Sequence, residues 1–196
     1  RHIVTVATEH RAVLDPCRYL QSLGFELTVL PVQPNGLLDL EVLAAALRPD
    51  TVLVSVMAAN NEIGVLQPIA EIAALCRPQG IALHVDGAQL VGHQRFEPLA
   101  LGIDLLSLSG HKFYGPKGVG ALLVAPGVEL KPQLHGGGQE GGLRSGSVPL
   151  PLAVGLAAAL ERSLADAPQR AQRLAALRDR LWQGLHPLGG VVVNGC

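Results

Sequence analysis

Two charged side chains of opposite sign each follow an apolar run in the middle of the sequence. Asp86 ends the run IALHV, and Lys112 comes four residues after the run DLLSL, 26 residues further on (112 − 86). A lysine carried into the interior by such a strand is costly unless its charge is paired or removed. Attachment to an aldehyde as a Schiff base removes the charge, as pyridoxal 5′-phosphate (PLP) chemistry requires. The cofactor also needs a carboxylate at its ring nitrogen, so the pair predicts a PLP site.

Other polar side chains also follow apolar runs, and ligands bind at the carboxyl ends of the strands in an open parallel sheet. The residues in such positions are His10, Asn60, Asn61, Gln89, Ser109 and His111. Taken alone, each has a commoner structural use, since aspartate caps helices and asparagine sits in turns. Together with Asp86 and Lys112 they favour one binding site at one edge of a sheet.

Strand-like and helix-like segments alternate along the chain and would place these residues. Most strands are continuously apolar, which is typical of a largely parallel sheet that is covered on both faces. The last two strands are joined by a short loop and are expected to pair antiparallel. The predicted strands are 2–8, 25–32, 51–57, 81–86, 103–109 and 119–125, and the predicted helices between them are 11–24, 35–50 and 67–80. We expect Asp39 to cap the second helix.

The last third of the chain is expected to be helical. Residues 160–185 read as a long amphipathic helix that is broken near Pro168. The helix from about residue 169 would lead into a second domain, which would begin with a strand at VVVNG. We therefore predict a large domain over 1–165, followed over 166–196 by a linker helix and the start of a small C-terminal domain.

Composition excludes several classes of protein. Apolar residues make up 48% and charged residues 16%, which is enough for a large buried core. The net charge is −1 and no basic patch is present, so nucleic acid is not an expected partner. The longest apolar stretch is too short to cross a bilayer. The three cysteines, Cys17, Cys76 and Cys196, lack the spacing of a disulfide or zinc framework, which predicts a reducing compartment, the cytoplasm or an organelle.

Five motifs in a fixed order resemble those of the cysteine desulfurases of the NifS/IscS type. They are TEH, NNEIG, HVDGAQ, SGHKFYGPKGVGAL and HGGGQEGGLRSGS, and the resemblance covers nearly the whole chain. The family belongs to the class-V aminotransferases. The resemblance implies the type I PLP-dependent transferase fold, like that of aspartate aminotransferase, with a mixed, mostly parallel sheet of the seven-stranded type and helices on both faces. It also implies conversion of L-cysteine to L-alanine with the sulfur held as a persulfide.

The resemblance assigns a role to each candidate residue. Lys112 would be the Schiff-base lysine, Asp86 would pair with the pyridinium nitrogen, and Gln89 would hydrogen-bond the ring hydroxyl. His10 would stack on the ring as a catalytic residue, and Asn61 would contact the substrate or the side of the cofactor ring. The phosphate would be held by Ser109 and His111.

Ser147 matches the threonine of the family's R-S-G-T loop, which implies a homodimer. In the family this hydroxyl reaches the phosphate bound in the partner subunit. Ser147 keeps the hydroxyl, and it is also expected to cap the helix that follows, whose N-terminus would favour an anion. The implied partners beyond the dimer are L-cysteine and a sulfur-acceptor or iron–sulfur scaffold protein.

Two parts of the family's machinery are expected outside this sequence. The catalytic cysteine lies downstream of the R-S-G loop, so none of the three cysteines matches it, and the Gly/Thr phosphate loop would precede Arg1. The sequence starts without methionine inside an apparent strand and stops just after another. We therefore expect a piece of a longer protein that, by itself, binds the cofactor weakly and does not turn over.

Alternatives from other classes remain open at this point. A metal enzyme would use His84, Asp86 and His111 as ligands, and a catalytically inactive dimerising scaffold would use none of them. Selenocysteine lyases and related PLP lyases or aminotransferases share the same core. HGGG lacks the G-x-S-x-G elbow of a hydrolase, and GPKGVG lacks the G-K-[ST] of a P-loop.

Overall fold

Residues 1–195, which are those described by this computed structural model, form a mixed six-stranded sheet. The strands are β1 (His2–Val6), β2 (Glu26–Leu30), β3 (Thr51–Met57), β4 (Ala82–Asp86), β5 (Leu105–Ser109) and β6 (Gly120–Val124). Their order across the sheet is β2-β1-β3-β4-β5-β6. Neighbouring strands from β2 to β5 pair in parallel, and β6 pairs antiparallel with β5.

The predicted fold class is confirmed. All six predicted strands form, the sheet is mostly parallel, and the last pair is antiparallel because only a short loop joins it. The described residues form six strands, which is one fewer than in a sheet of the seven-stranded type.

Helices cover both faces of the sheet. They are α1 (Arg11–Ser22), α2 (Leu40–Ala46), α3 (Ile69–Cys76) and α4 (Leu150–Leu185). The chain passes from β1 to one edge through α1 and then moves the opposite way through α2 and α3. Because such crossovers are right-handed, α1 lies on one face, whereas α2 and α3 lie together on the other.

The main core lies between the sheet and the pair α2 and α3. Leu83 of β4, Leu43 of α2 and Ile72 of α3 are completely buried in it. The predicted cap of α2 is confirmed, since Asp39 Oδ1 accepts the N–H of Glu41 at 2.9 Å and of Val42 at 3.4 Å.

The predicted break at Pro168 is wrong, because α4 runs unbroken through it for 36 residues. Proline removes one N–H from the helix, but contacts on either side of Pro168 hold the helix in place. Ser163 and Ala167 are buried, and Arg170 reaches back across Pro168 to the carbonyl of Ser163 at 3.1 Å. Burial and this charged donor therefore offset the lost hydrogen bond.

The predicted strand at VVVNG is also wrong for the part that the structure describes. Residues 191–195 have no regular structure. Apolar β-branched residues form a strand only when another strand can pair with them, and no strand of residues 1–195 does so.

None of the helices formed by residues 1–195 combines the length and the apolar character needed to cross a membrane.

Candidate active site

The carboxyl ends of β4 and β5 meet at one edge of the sheet. Asp86, the last residue of β4, is in register with Ser107 of β5. Pairing continues one residue beyond β4, because the Gly87 N–H donates to Ser107 O at 2.9 Å. On the other side, the Ala58 N–H donates to Asp86 O at 2.9 Å. The Asp86 backbone is thus held between two neighbouring strands.

Asp86 presents a buried carboxylate with room for a ligand. It is 8% exposed, and its Oδ1 accepts the Ala88 N–H at 2.9 Å. Within residues 1–195 its second oxygen has no hydrogen bond and neither oxygen has a cationic partner. A buried carboxylate is stable only when it is paired, so the site is suited to a protonated ring nitrogen.

Gly87 permits the turn that carries Gln89. A Cβ at this position would lie 2.6 Å from Leu106 Cδ1 and 3.1 Å from Ser107 O, so a side chain would push the turn away from β5. Gln89 is half-buried in this turn, and its side chain has no hydrogen-bond partner among the described residues. The amide is therefore free for a ligand beside Asp86.

Lys112 lies on a short 3₁₀ helix, Gly110–Phe113, directly after β5. Phe113 is completely buried and fixes the turn, whereas Lys112 is exposed and makes no salt bridge with any described residue. The expectation that the strand carries this lysine into the interior was wrong, because the 3₁₀ turn places the side chain at the surface. Its place next to the β4 end agrees with the prediction.

Ser109 and His111 lie on either side of the start of this turn. Ser109 is the last residue of β5, and its Oγ is hydrogen-bonded to His111 Nδ1 at 3.0 Å. The contact orients the imidazole and leaves its Nε2 free for a ligand. Both polar groups therefore lie at the same strand end as Lys112, as predicted.

His10 caps α1. Its Nδ1 accepts the Ala12 N–H at 3.1 Å, and the side chain is exposed. This bond places the ring proton on Nε2 and fixes the ring at the carboxyl end of β1. The structure thus gives His10 both a capping role and an exposed ring face.

Asn60 and Asn61 differ sharply. Asn60 Oδ1 accepts the N–H groups of Glu62 and Ile63, each at 2.9 Å, and its Nδ2 donates to Thr8 O at 3.0 Å. Asn60 is therefore the residue that builds the turn. Asn61 is exposed, and its side chain has no hydrogen bond within residues 1–195, so it remains available to a ligand.

His84 belongs to a row of polar groups inside the sheet. Its Nδ1 contacts Ser55 Oγ at 2.8 Å and its Nε2 contacts Ser107 Oγ at 3.2 Å. Burial lowers its pKa, although the nearby charge of Asp86 opposes this. Both ring nitrogens are occupied, and the described residues contain no group of three His, Cys, Asp or Glu that could hold a metal. The alternative of a metal site with His111 therefore finds no support.

Glu9 is a feature that the sequence analysis missed. It is 6% exposed, and neither carboxylate oxygen has a hydrogen-bond partner in the part of the chain described. Burial, and secondly the charge of Asp86, raise its pKa to about 8, although the N–H groups of Met57 and His10 act in the opposite direction. A single acid between a strand and a helix reads as a solvated loop residue, and only its place in TEH marks it.

Ser147 lies in the loop before α4, far along the sequence from the residues at the ends of β4 and β5. It is exposed, and its side chain has no hydrogen bond within residues 1–195. The prediction that it caps the next helix is wrong, since α4 begins at Leu150 and its N-cap is Pro149 without a side-chain bond. The loop before it is closed by its own contacts, such as Ser145 Oγ to Gly137 O at 2.7 Å.

The two described cysteines are unsuited to nucleophilic attack. Cys17 is 6% exposed and Cys76 is 1% exposed, and both are free thiols. Burial raises the pKa of both, with a further contribution from Glu9 for Cys17, and that of Cys76 reaches about 11. Because the thiolate is the reactive form, neither is a candidate. Cys196 lies outside the described residues.

The donor set fits PLP. One strand end offers a buried carboxylate with an open oxygen, and the next offers an exposed amine. The turn that follows the carboxylate adds the free amide of Gln89. The hydroxyl and imidazole of Ser109 and His111 add donors of the kind that bind phosphate.

Comparison with known proteins gives one family. The model of the family described as aminotransferase class-V matches residues 1–196. The cysteine desulfurase IscS of Dechloromonas aromatica (strain RCB) is 49% identical over 197 residues, which is 100% of this chain and 49% of the relative. The chain thus spans about half the length of the curated relatives that it matches.

Solved structures agree with this result. A NifS-like protein has a TM-score of 0.94 and 40% identity, covering 99% of this chain and 54% of that one. A structure described as SspA in complex with cysteine has a TM-score of 0.79 and 45% identity, covering 82% of this chain and 47% of that one.

Proposed function

This chain belongs to the class-V aminotransferase family, and we propose that it is the cofactor-binding core of a PLP-dependent cysteine desulfurase. The proposed reaction takes sulfur from L-cysteine, leaves L-alanine and holds the sulfur as a persulfide. Support comes from the 49% identity to a cysteine desulfurase along the whole chain.

The observation that carries the proposal is the placement of Asp86 and Lys112 at the ends of adjacent parallel strands. A carboxylate and an amine at neighbouring strand ends match the two needs of PLP. When bound, PLP serves as an electron sink for the substrate's bonding electrons. In this proposal Lys112 Nζ binds the cofactor aldehyde, and the open oxygen of Asp86 holds the proton on the ring nitrogen.

The remaining residues orient the cofactor and the substrate. Gln89 donates to the ring hydroxyl from the turn that Gly87 permits. His10 stacks on the ring as a catalytic residue, since the bond from Ala12 holds its ring in place. Asn61 contacts the substrate, whereas Asn60 keeps the turn in shape.

Phosphate binding involves both subunits of a proposed homodimer. Ser109 and His111 bind the phosphate within one chain, and their mutual contact orients the imidazole. Ser147 reaches the phosphate of the partner subunit from its exposed loop. We assign 1–165 to the PLP-binding large domain, and 166–196 to the linker helix and the start of the small domain.

The proposed partners follow from the reaction. The substrate is L-cysteine, in keeping with the SspA structure that is described as a complex with cysteine. The sulfur acceptor is a sulfur-carrier or iron–sulfur scaffold protein. The cytoplasm is the proposed location, and the free thiols of Cys17 and Cys76 are consistent with a reducing compartment.

Product analysis of the full-length protein tests this function. With PLP, L-cysteine and a thiol reductant, we expect alanine and sulfide in equal amounts. If the protein binds PLP but forms neither alanine nor sulfide from cysteine, it is not a desulfurase.

A further inference from the structure

A cluster on α4 fastens the turn that follows β4. Ser163 Oγ donates to Gly92 O at 2.7 Å, and an Arg170 guanidinium nitrogen donates to the same oxygen at 2.7 Å. That nitrogen also contacts Ser163 O and Ser163 Oγ, each at 3.1 Å. Ser163 is 4% exposed. We call Ser163, Arg170 and the Gly92 carbonyl the α4 clasp.

The residues around Gly92 pack so closely that no side chain would fit at this position. Gly92 has φ +82°, and a Cβ there would lie 2.5 Å from Phe113 Cβ and 3.3 Å from Ser163 Oγ. The turn after β4, the 3₁₀ turn after β5 and α4 therefore meet at one point. The ring of Tyr114, which follows Phe113, lies 6.0 Å from the Arg170 guanidinium carbon.

Both turns held by the clasp lead directly to the proposed cofactor residues. Gly92 lies in the turn that starts after Asp86, in which the Val91 N–H donates to Gly87 O at 2.8 Å. Phe113 follows Lys112 in the chain. The two turns also touch directly, because His93 Nε2 is 3.2 Å from Lys112 O.

The charge of Arg170 is committed to this contact. Arg170 has no carboxylate within salt-bridge distance in the described residues, and its bonds go to Gly92 and Ser163. A charged donor shared with a buried hydroxyl makes a stronger bond to a carbonyl than a neutral donor would. Loss of the guanidinium would leave the Gly92 carbonyl with the Ser163 bond alone.

We propose that Ser163 and Arg170 are positioning residues that fix the turn carrying Asp86 and Gln89 against the turn carrying Lys112, an inference that rests on the proposed PLP site. The two turns supply opposite ends of the cofactor, so their separation determines whether both ends are held at once. Neither residue touches the cofactor, and each acts through the Gly92 carbonyl.

The test compares Arg170→Met with Arg173→Met in the full-length protein. Arg173 is an exposed arginine on the same helix and serves as the matched control. For Arg170→Met we expect the dissociation constant for PLP, measured by absorbance titration, to rise roughly tenfold, in line with loss of a hydrogen bond to a charged group. We expect kcat to fall more than KM rises, because the geometry of the bound state is affected. Arg170→Lys should restore part of both losses, since lysine keeps one charged donor.

Ser163→Ala is the milder second variant and covers the case in which Arg170→Met does not fold. It should shift PLP affinity in the same direction, by about threefold. Hydrogen exchange without cofactor gives an independent readout, since the amides of 87–94 should exchange faster in both variants and not in Arg173→Met. If these amides exchange faster in the two variants but the wild type does not bind PLP, the proposed function is contradicted. Unchanged PLP affinity and kcat in the folded variants would overturn the positioning role.

Discussion

Glu9 and Asp86 are two almost equally buried carboxyl groups near the ends of strands of the same sheet, and they have different surroundings. Glu9 is 6% exposed and Asp86 is 8% exposed. Asp86 Oδ1 accepts the Ala88 N–H, and its other oxygen is open to a ligand. Neither oxygen of Glu9 has a partner in residues 1–195, and its pKa is raised to about 8 by burial and by Asp86.

The difference shows that burial alone does not make a carboxylate functional. For Glu9, burial is the largest influence, and it favours the neutral form of the carboxyl group. Glu9 therefore carries a proton at neutral pH, whereas Asp86 offers an open oxygen to a ligand. The following predictions test this division, from the largest expected effect to the smallest.

Lys112→Ala removes the amine on the turn that follows β5. We expect desulfurase turnover to fall by at least roughly 10⁴-fold, as in other enzymes that lose a covalent catalyst. The visible absorbance of the bound cofactor should also change. Lys117→Ala, on the same loop, should turn over like the wild type, and equal losses in both variants would place the reactive amine elsewhere.

Asp86→Asn should retain the fold, because the amide oxygen can still accept the Ala88 N–H. Without the negative charge the ring nitrogen loses its proton, and we expect turnover to fall by about 10²-fold while PLP stays bound. Steady-state kinetics with a PLP occupancy measurement check this.

Glu9→Gln is the matched comparison for Asp86→Asn. Both variants replace a buried carboxyl by an amide, but Glu9 is already neutral at pH 7, so Glu9→Gln should stay within about threefold of wild-type turnover. A loss as large as that of Asp86→Asn would mean that Glu9 carries the working charge.

The same variant should change the pH dependence of stability. Glu9 has a folded pKa of about 8 against an ordinary value of 4.5. Between these values the folded state holds more protons than the unfolded state, so stability falls as the pH rises through this window. Glutamine has no proton to lose, and Glu9→Gln should be more stable than the wild type at pH 9 by on the order of 2–4 kcal/mol.

Urea unfolding at pH 4 and pH 9 measures this effect. The wild type and Glu9→Gln should differ little at pH 4, where both side chains are neutral. Glu97→Gln replaces an exposed glutamate and should show no such divergence. Parallel stability curves for the wild type and Glu9→Gln would show that burial does not raise the pKa of Glu9.

Ser147→Ala should have a small effect on cofactor binding. Loss of one neutral hydroxyl from the phosphate of the partner subunit should raise the PLP dissociation constant roughly two- to tenfold. Mixed dimers sharpen the test, since a Lys112→Ala subunit paired with a Ser147→Ala subunit keeps one complete site. A wild-type subunit paired with a Lys112→Ala/Ser147→Ala subunit keeps none, and equal PLP affinity in the two mixed dimers would rule out action across the interface.

Local pattern was sufficient to predict the sheet and the residues at its edge. Continuous apolar runs located all six strands, and parallel pairing then brought Asp86 and Lys112 to neighbouring strand ends. Asp39 was recognisable as a cap because its side chain acts on amides two and three residues away. These features depend on residues that are close in sequence or on the sheet geometry.

Features that depend on distant contacts were predicted wrongly or missed. Pro168 does not break α4, because Arg170 and the burial of Ser163 hold the helix across it. The burial of Glu9 and the contact of Arg170 with Gly92 join residues far apart in the chain. The hydrophobic periodicity of a sequence does not reveal such contacts, and it leads an arginine on an amphipathic helix to be interpreted as a surface charge.

Identifying the lysine to which the cofactor aldehyde binds tests the central claim most directly. The sequence contains three lysines, Lys112, Lys117 and Lys131, and all three are exposed. Borohydride fixes an aldehyde to the amine that has bound it, and peptide mass spectrometry then identifies the labelled lysine. Labelling of the full-length protein with PLP should place the added mass on Lys112 and leave Lys117 and Lys131 unmodified. A label on either of those two, or on all three equally, would contradict the proposed site.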